Sequence, residues 1–163
     1  MVLSAPSEQI PGPPAHPADQ SRLVAALHAQ ARTDAPTGLP NRLAFEERLA
    51  DALAPPLTGP VSLAMLDIDH FKLVNDSLGH RAGDDLIREV AVRVRDAVRG
   101  QDTVARLGGD EIVVLSPATD LDQAEILAAR IQSLLRAPVH VGGTEVHVTA
   151  SIGVACATGT HID

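Results

Sequence analysis

The sequence predicts an α+β fold, in which a mainly antiparallel central sheet is flanked by helices. Short apolar runs alternate with segments of helical periodicity in the order strand, helix, strand, strand, helix, strand. This order is the ferredoxin-like split βαβ arrangement, an α/β sandwich. The chain has 163 residues, of which 45% are apolar, and so suffices for one domain with a core of its own.

The expected strands are short apolar runs bounded by residues that break secondary structure. VSLAMLD at 61–67 is the first of them, and it follows a segment rich in proline and glycine. DTVARL and EIVVLS come next, joined by Gly-Gly-Asp as a β-hairpin. VHV, EVHVTA and SIGVACA then indicate two or three closing strands.

Three helices are expected in the same region, at about 41–53, 83–98 and 121–135. A polar connector is expected before the second, and Gly100 is expected to end it. Apolar residues at helical spacing should face the core; they are Leu43, Leu49, Leu53, Leu86, Ile87, Val90, Val94, Val98, Ile126, Leu127, Ile131, Leu134 and Leu135.

The N-terminal part is expected to differ from the domain. Residues 1–20 contain five prolines and predict a flexible lead-in. Residues 21–33 begin with a capping serine and predict a short amphipathic helix. Such a helix either packs on its own domain or acts as a linker for signalling or dimerisation, and the sequence supports both interpretations.

Composition excludes several classes of function. A net charge of −8 and a single lysine argue against binding of a nucleic-acid polymer, and the absence of Trp and Tyr excludes a base-stacking platform. A single cysteine, Cys156, excludes an internal disulfide framework, and it is expected to be a small buried apolar residue. No secretory signal or membrane-spanning run is recognisable, so we expect a cytoplasmic protein without membrane contact through this segment.

The predicted topology brings two distant acidic residues together. Strands joined by the first crossover run parallel, so Asp67 and the Gly-Gly-Asp turn should share one edge of the sheet. Asp67 and Asp110 would then be neighbours whose negative charges raise each other's pKa unless a cation lies between them. Mg²⁺, which combines a few carboxylates with substrate phosphates, suits such a pair. Gly108-Gly109-Asp110 is also an ordinary hairpin turn, and both interpretations stay open here.

Polar residues also surround the expected start of the long helix. They are Asn75, Asp76, His80 and Asp84, of which the Asn and Asp residues are types that commonly cap a helix. Their amide and carboxylate groups could equally read the edge of a base, because a carboxylate accepts from the two N–H donors of guanine.

Read together, the spaced motifs resemble the GGDEF family of diguanylate cyclases. The ordered matches are DAPTGLPNR at 34–42, DIDHFKLVNDSLGHRAGDDLI at 67–87, RLGGDEI at 106–112 and SIGVA at 151–155. They cover roughly residues 34–158, and several motifs in the right order are far more specific than any one of them. Residues 34–163 are therefore expected to form a GGDEF domain.

The resemblance implies a fold and a reaction. The fold would be that of palm-type nucleotidyl cyclases. The reaction would join two GTP molecules into cyclic di-GMP and release two pyrophosphates, with Mg²⁺ or Mn²⁺ as cofactor. Each subunit of a homodimer would hold one GTP, whose 3′-hydroxyl attacks the α-phosphate of the other.

The resemblance also implies roles for individual residues. Asp67, Asp110 and the backbone carbonyl of Ile68 would bind the metal, and Glu111 would assist metal binding or deprotonate the 3′-hydroxyl. Asn75 and Asp84 match the guanine-reading pair. The substrate phosphates would lie near the following residues: His70, Phe71, Lys72, Gly108 and Gly109.

Arg99 and Asp102 form R-x-x-D at the spacing of the family's product-inhibition site. The resemblance implies that Arg99 binds phosphate and guanine edges of cyclic di-GMP and that Asp102 accepts from guanine. The alternative is a surface arginine at a helix end, followed by an aspartate that opens a strand.

Three departures from the family pattern affect these expectations. Ile112 replaces the usual Phe of the signature, which implies a loss of volume rather than of chemistry. Pro36 replaces a Leu and should stiffen the first connector. The sequence stops at Asp163, before the expected C-terminal helix with phosphate-binding cations, so the resemblance implies weakened GTP binding and marginal stability.

Two other functions remain open at this stage. One is a catalytically silent module that binds GTP or cyclic di-GMP and regulates a partner domain. The other is a ferredoxin-like interaction domain without any nucleotide. The intact acids Asp67, Asp110 and Glu111 favour the enzyme over both.

Overall fold

The computed structural model describes residues 31–159 and the backbone of a short strand at 161–162. The expected lead-in at 1–20 lies outside the described residues, as does the 21–33 helix apart from its last three residues. The residues from Arg32 onward form one unit. Within the described residues, no helix is both long enough and apolar enough to cross a membrane.

Four helices and seven strands make up the described part of the chain. The helices are α1 (Arg42–Ala52), α2 (Phe71–Leu78), α3 (His80–Ala97) and α4 (Leu121–Leu135). The strands are β1 (Val61–Ile68), β2 (Thr103–Gly108), β3 (Glu111–Pro117), β4 (Val139–Val141), β5 (Thr144–Val146), β6 (Ala150–Thr158) and β7 (His161–Ile162).

The central sheet has the strand order β2-β3-β1-β6-β7, and every neighbouring pair is antiparallel. β1 and β2 both run antiparallel to β3, so they are parallel to each other. The structure thus confirms the α+β fold and the ferredoxin-like order. Closing strands were expected around the Gly142-Gly143 turn, and there β4 and β5 form a two-stranded sheet of their own, separate from the central sheet.

The two faces of the sheet are covered unequally. Helices α3 and α4 bury one face, where Leu66 of β1 and Ile112 of β3 belong to the larger core cluster and are 0% exposed. α1 covers part of the opposite face with Phe45, against Val113 and neighbouring residues. Residues of β1 contribute to the cores on both faces, because successive side chains along a strand point to opposite faces of the sheet.

Several local expectations were wrong. The segment expected to be a polar connector contains α2, whose two turns are too short for a clear periodicity. The long helix begins at His80 rather than near Gly83 and ends at Ala97, before Gly100.

Some of the leucines and isoleucines expected in the core are exposed. Helix α1 buries Ala44 and Phe45, and of the leucines expected there Leu49 packs, partly buried, against the core. Helix α4 faces the sheet through Ala124, Leu127, Ile131 and Leu135. The apolar residues on the outer sides of these two helices are Leu43, Leu53, Ile126 and Leu134. Both sequences carry more apolar residues than one face needs, so periodicity alone could not select the buried set.

Candidate active site

The structure brings the predicted acidic residues together at one edge of the sheet. Asp67 near the end of β1 lies opposite Glu111, the first residue of β3. The backbone N–H of Ile68 donates to the carbonyl of Asp110 at 3.3 Å. Asp67 is exposed, whereas Asp110 and Glu111 are half-buried. The topological expectation that Asp67 and Asp110 are spatial neighbours is therefore met.

The neighbouring acids at this edge act on the carboxyl of Asp67. The pKa of the Asp67 carboxyl lies above its ordinary value, because desolvation and the negative charges of Asp110, Asp69 and Glu111 all disfavour its ionised form. A cation between the carboxylates would relieve this repulsion. The electrostatics of the edge therefore fit a bound divalent cation.

The donor set at this edge is of the oxygen type that Mg²⁺ prefers. Asp67 and Asp110 offer two carboxylates, and Ile68 offers a carbonyl. Among the described residues, no three His, Cys, Asp or Glu side chains converge into a complete metal site. A cation held here would have to take further ligands from water or from phosphate oxygens, as Mg²⁺ commonly does.

The glycines of the β2–β3 turn leave open space beside the acids. Gly108 and Gly109 have φ angles of 146° and 54°, in a region that residues with a Cβ seldom adopt. A Cβ added to either would meet nothing within 4 Å. The backbone conformation therefore requires glycine, and the space above it is free for a ligand.

Asp69 has a structural role that the sequence analysis missed. Its side chain accepts hydrogen bonds from the hydroxyls of Thr149 and Ser151, at 2.5 and 2.8 Å. These bonds hold the pKa of Asp69 below its ordinary value, against a smaller opposing effect of desolvation. Asp69 thus ties the end of β1 to the start of β6. Its place in the DIDH motif was the available signal.

The residues expected near phosphates lie at the start of α2. His70 precedes the helix in the left-handed conformation, with φ 61° and ψ 19°, and its carbonyl accepts from Leu73 at 2.9 Å. The first N–H groups of a helix lack acceptors within it, so those of Phe71 and Lys72 are available to an anion. The ammonium of Lys72 pairs with Asp76 at 3.0 Å.

Asn75 of α2 lies against the first turns of α3, which carries Asp84. Asn75 lies in α2, and its side chain packs against Gly83, the residue before Asp84. A Cβ at Gly83 would lie 1.9 Å from the side-chain oxygen of Asn75, so only glycine leaves room for this contact. The sequence analysis did not identify Gly83, although a glycine inside a helical pattern was a usable signal.

An arginine to which the sequence analysis gave no role lies directly behind the turn. Arg106 is only 8% exposed, and its Nε and Nη2 donate to the carbonyl of Gly109 at 3.0 and 2.6 Å. Its Nη1 donates to both carboxylate oxygens of Asp34, at 3.2 and 3.1 Å. Asp34 also accepts from the hydroxyl and the backbone N–H of Thr37, at 2.6 and 3.0 Å.

The environment of Asp34 favours its ionised form. Burial raises the pKa of this carboxyl, but the hydrogen bonds from Thr37 and Arg106 and the charge of Arg106 together outweigh burial. The pKa of Asp34 therefore lies below its ordinary value. A second arginine, Arg42 at the start of α1, lies 3.6 Å from the carboxylate of Glu111.

Arg99 and Asp102 form a tight turn between α3 and β2. The backbone N–H of Arg99 donates to the Asp102 carboxylate at 2.8 Å, and the N–H of Asp102 donates to the Arg99 carbonyl at 3.0 Å. Both residues line a cavity of about 150 Å³ that also includes Ser116 and Arg130. They line a second cavity of about 360 Å³, to which Arg48 and Arg95 also contribute.

Two polar atoms beside the smaller cavity are buried without a partner. Within the described part of the chain, Oδ1 of Asp102 and Oγ of Ser116 accept or donate no hydrogen bond. Since buried polar atoms are normally satisfied, they suit a ligand or a water molecule in this cavity.

Comparison with known proteins shows that the chain belongs to the GGDEF family. The family model described as "Diguanylate cyclase, GGDEF domain" matches residues 31–163. The diguanylate cyclase DgcP of Pseudomonas aeruginosa is 43% identical over 133 residues, which are 80% of this chain and 20% of DgcP. The cyclic di-GMP phosphodiesterase NbdA of the same organism is 42% identical, over 80% of this chain and 17% of its own length. This chain thus spans about a fifth of these relatives.

Solved structures agree with this assignment. The coiled coil and GGDEF domain of DgcB from Caulobacter crescentus, in complex with c-di-GMP, superimposes with a TM-score of 0.79 and 30% identity, over 88% of this chain and 80% of that one. The GGDEF domain of YfiN from Pseudomonas aeruginosa gives a TM-score of 0.72 and 40% identity, over 76% and 74% of the two chains.

The lowered pKa of Asp34 predicts a pH-dependent contribution to stability. When the pKa of a carboxyl is lower in the folded than in the unfolded state, the group stabilises the fold at pH values above its unfolded-state pKa, about 3.9. This stabilisation is lost as the pH falls through the folded-state pKa. Wild type should therefore unfold at higher urea concentration than Asp34→Asn at pH 7, and the difference should shrink below about pH 4.

Urea titrations from pH 7 downward, over the range in which both proteins stay folded, would measure this difference. Glu47→Gln is the matched control, because it neutralises an exposed carboxylate paired with Arg32. We expect it to change the free energy of unfolding far less than Asp34→Asn does, because exposed ion pairs contribute little. A difference between wild type and Asp34→Asn that stays constant with pH would contradict the interpretation.

Proposed function

We propose that residues 34–163 form a diguanylate cyclase domain, which condenses two GTP molecules into cyclic di-GMP and two pyrophosphates as a homodimer. The proposal is carried by the convergence of Asp67, Asp110 and Glu111 at one sheet edge. Membership of the GGDEF family and the similarity to DgcP support it further.

Asp67, Asp110 and the carbonyl of Ile68 would hold Mg²⁺ or Mn²⁺. The raised pKa of Asp67 supports this assignment, because the carboxylates gain from a neighbouring cation. When bound, the ion supplies positive charge to the phosphate groups that take part in the transfer.

The chain's own groups would orient the nucleotide. The backbone N–H groups of His70, Phe71 and Lys72 would donate to phosphate oxygens, beside the open space at Gly108 and Gly109. Asn75 and Asp84 would bind the guanine edge, with the Asn75 side chain held against Gly83. Phosphoryl transfer depends mainly on such positioning and on charge neutralisation.

In each half-reaction, the 3′-oxygen of one GTP forms a bond to the α-phosphorus of the other. The bond from that phosphorus to the pyrophosphate oxygen breaks, and pyrophosphate leaves with the electron pair. Glu111 would take the proton from the 3′-hydroxyl. The two subunits of the homodimer would present their nucleotides to each other, so that two such transfers close the ring.

A regulatory module that binds GTP or cyclic di-GMP without turnover is the second candidate. Two observations favour it: the arginine-lined cavities beside Arg99 and Asp102, and relatives such as NbdA that are named as cyclic di-GMP phosphodiesterases. In the cyclase, the same cavities would bind the product and limit its synthesis.

Replacing Asp110 by Asn distinguishes the two candidates. It removes one carboxylate from the expected metal site, so formation of cyclic di-GMP from GTP and Mg²⁺ should fall by at least about 10²-fold. Mass spectrometry of the product would measure the change. Asp96→Asn, which alters an exposed carboxylate of α3, should leave the rate unchanged. A wild type without product that still binds cyclic di-GMP would favour the regulatory module.

Replacing Gly83 by Ala tests the guanine-binding assignment. The new methyl group would displace the Asn75 side chain, so KM for GTP should rise while the helix itself gains propensity. Gly59→Ala is the control, since a Cβ there meets nothing within 4 Å and the backbone is unstrained. Steady-state kinetics would measure both variants, and an unchanged KM in Gly83→Ala would exclude Asn75 from the guanine site.

Replacing Arg99 by Ala tests product binding. Loss of a guanidinium should weaken cyclic di-GMP binding by about 10- to 100-fold, the equivalent of one or two charge-assisted hydrogen bonds. Calorimetry would measure the affinity, and initial rates with added product would measure feedback. Arg32→Ala should resemble wild type, and strong product inhibition that persists in Arg99→Ala would contradict the assignment.

A further inference from the structure

We propose that Arg106 and Asp34 are positioning residues that fix the β2–β3 turn, and thereby the location of Asp110 relative to Asp67. Neither residue touches the expected substrate, so their effect would be exerted through the backbone of the turn. The expected effect on metal binding and turnover rests on the proposed function, whereas the expected effect on the conformation of the turn does not.

The side chain of Arg106 forms hydrogen bonds in addition to the backbone pairing of its strand. It buries a guanidinium, which costs free energy unless the charge is paired and its donors are satisfied. Two of its nitrogens converge on one acceptor, the carbonyl of Gly109, and a third reaches Asp34. The buried charge is thus directed at the peptide bond that links Gly109 to Asp110.

That peptide bond needs external support. Gly109 has a φ of 54°, and a glycine explores more backbone conformations than any other residue. A bidentate contact from a planar guanidinium selects one orientation of the carbonyl. The orientation matters because the carbonyl of Asp110, one residue later, accepts from the N–H of Ile68 beside Asp67.

Asp34 gives the arginine a fixed anchor. Its backbone N–H donates to the carbonyl of Leu39 at 2.8 Å, and Leu39 is a core residue with 2% exposure. Thr37 holds the carboxylate from the other side. The backbone N–H of Arg106 also donates to the carbonyl of Pro40 at 2.9 Å. The connector at 34–40 therefore serves as a core-anchored support for the turn.

The same connector also contacts the helix that carries Asp84. Nε of Arg88 in α3 donates to the carbonyl of Pro36 at 2.9 Å, and Arg88 pairs with Asp85. One short segment is thus bound both to the turn before Asp110 and to the helix of the expected guanine site. A displacement of the connector would therefore move both the turn before Asp110 and the helix that carries Asp84.

Amide hydrogen exchange tests the structural part directly. In Arg106→Lys and Asp34→Asn, exchange of the Ile68 N–H should accelerate by about 10- to 100-fold, because a charge-assisted contact that holds its acceptor is weakened. Exchange at Ala64, in the middle of β1, should stay as in wild type. Arg32→Met is the matched control: it removes a bidentate arginine–carboxylate pair with Glu47 that does not contact the turn.

Mn²⁺ binding and kinetics test the positioning effect. With a non-hydrolysable GTP analogue, both variants should bind Mn²⁺ more weakly in electron paramagnetic resonance titrations. Their kcat should fall on the order of 10²-fold, the effect of a small displacement of a reacting group. KM for GTP at saturating Mg²⁺ should change far less. A purely structural role would lower the melting temperature and leave kcat of the folded protein intact.

The outcomes separate this inference from the proposed function. Unchanged exchange of the Ile68 N–H in both variants would overturn the inference. Faster exchange in variants whose Mn²⁺ binding and kcat equal those of wild type would also overturn it. A wild type that neither binds Mn²⁺ with the nucleotide nor forms product would contradict the proposed function. A non-additive effect in the Arg106→Lys/Asp34→Asn double variant would show that the pair acts as a unit.

Discussion

The register between β1 and β3 is the constraint on which the rest of the site depends. β1 is central in the sheet, and its pairing with β3 places Asp67 opposite Glu111, while its pairing with β6 places Asp67 opposite Ser151. A slip of one residue would turn every side chain of β1 to the other face. Leu66, fully buried beneath α3 and α4, would then leave the core. The hydrophobic core therefore determines where the acids lie.

The acidic edge illustrates the usual conflict between stability and function. Desolvation and the negative charges of Asp110, Asp69 and Glu111 disfavour the ionised form of Asp67, so this arrangement of acids costs stability. Arg106 is bonded to Asp34 and Gly109, and Arg42, 3.6 Å from Glu111, offsets only one of the acidic charges. The edge thus retains an excess of negative charge, and a local conflict of this kind is typical of a functional site.

Topology and the placement of the acids could be predicted because they depend on simple patterns. Apolar runs and a glycine turn were enough to order the strands, and the order alone brought Asp67 close to Asp110. The exposed leucines of α1 and the two-turn helix α2 could not be predicted in this way. Helix α2 is too short to show a clear periodicity, and α1 carries more apolar residues than one face needs, so the pattern does not identify the buried face in either.

The supporting residues of the site were missed for a different reason. Arg106 and Asp34 each begin a motif that the sequence analysis quotes, but they are separated by 72 positions, so no local pattern indicates that they pair. Gly83 left a weak signal, a glycine within a helical segment, but its meaning depends on the Asn75 side chain of the preceding helix. Such contacts become visible only once the elements are packed.

A crystal structure of the chain with Mn²⁺ and a non-hydrolysable GTP analogue would test the central claim most directly. We predict an anomalous-scattering peak between the carboxylates of Asp67 and Asp110, with an oxygen of each about 2.1 Å from the ion. A phosphate oxygen should lie in the same coordination shell. An ion bound to the triphosphate alone, or a nucleotide bound away from this edge, would contradict it.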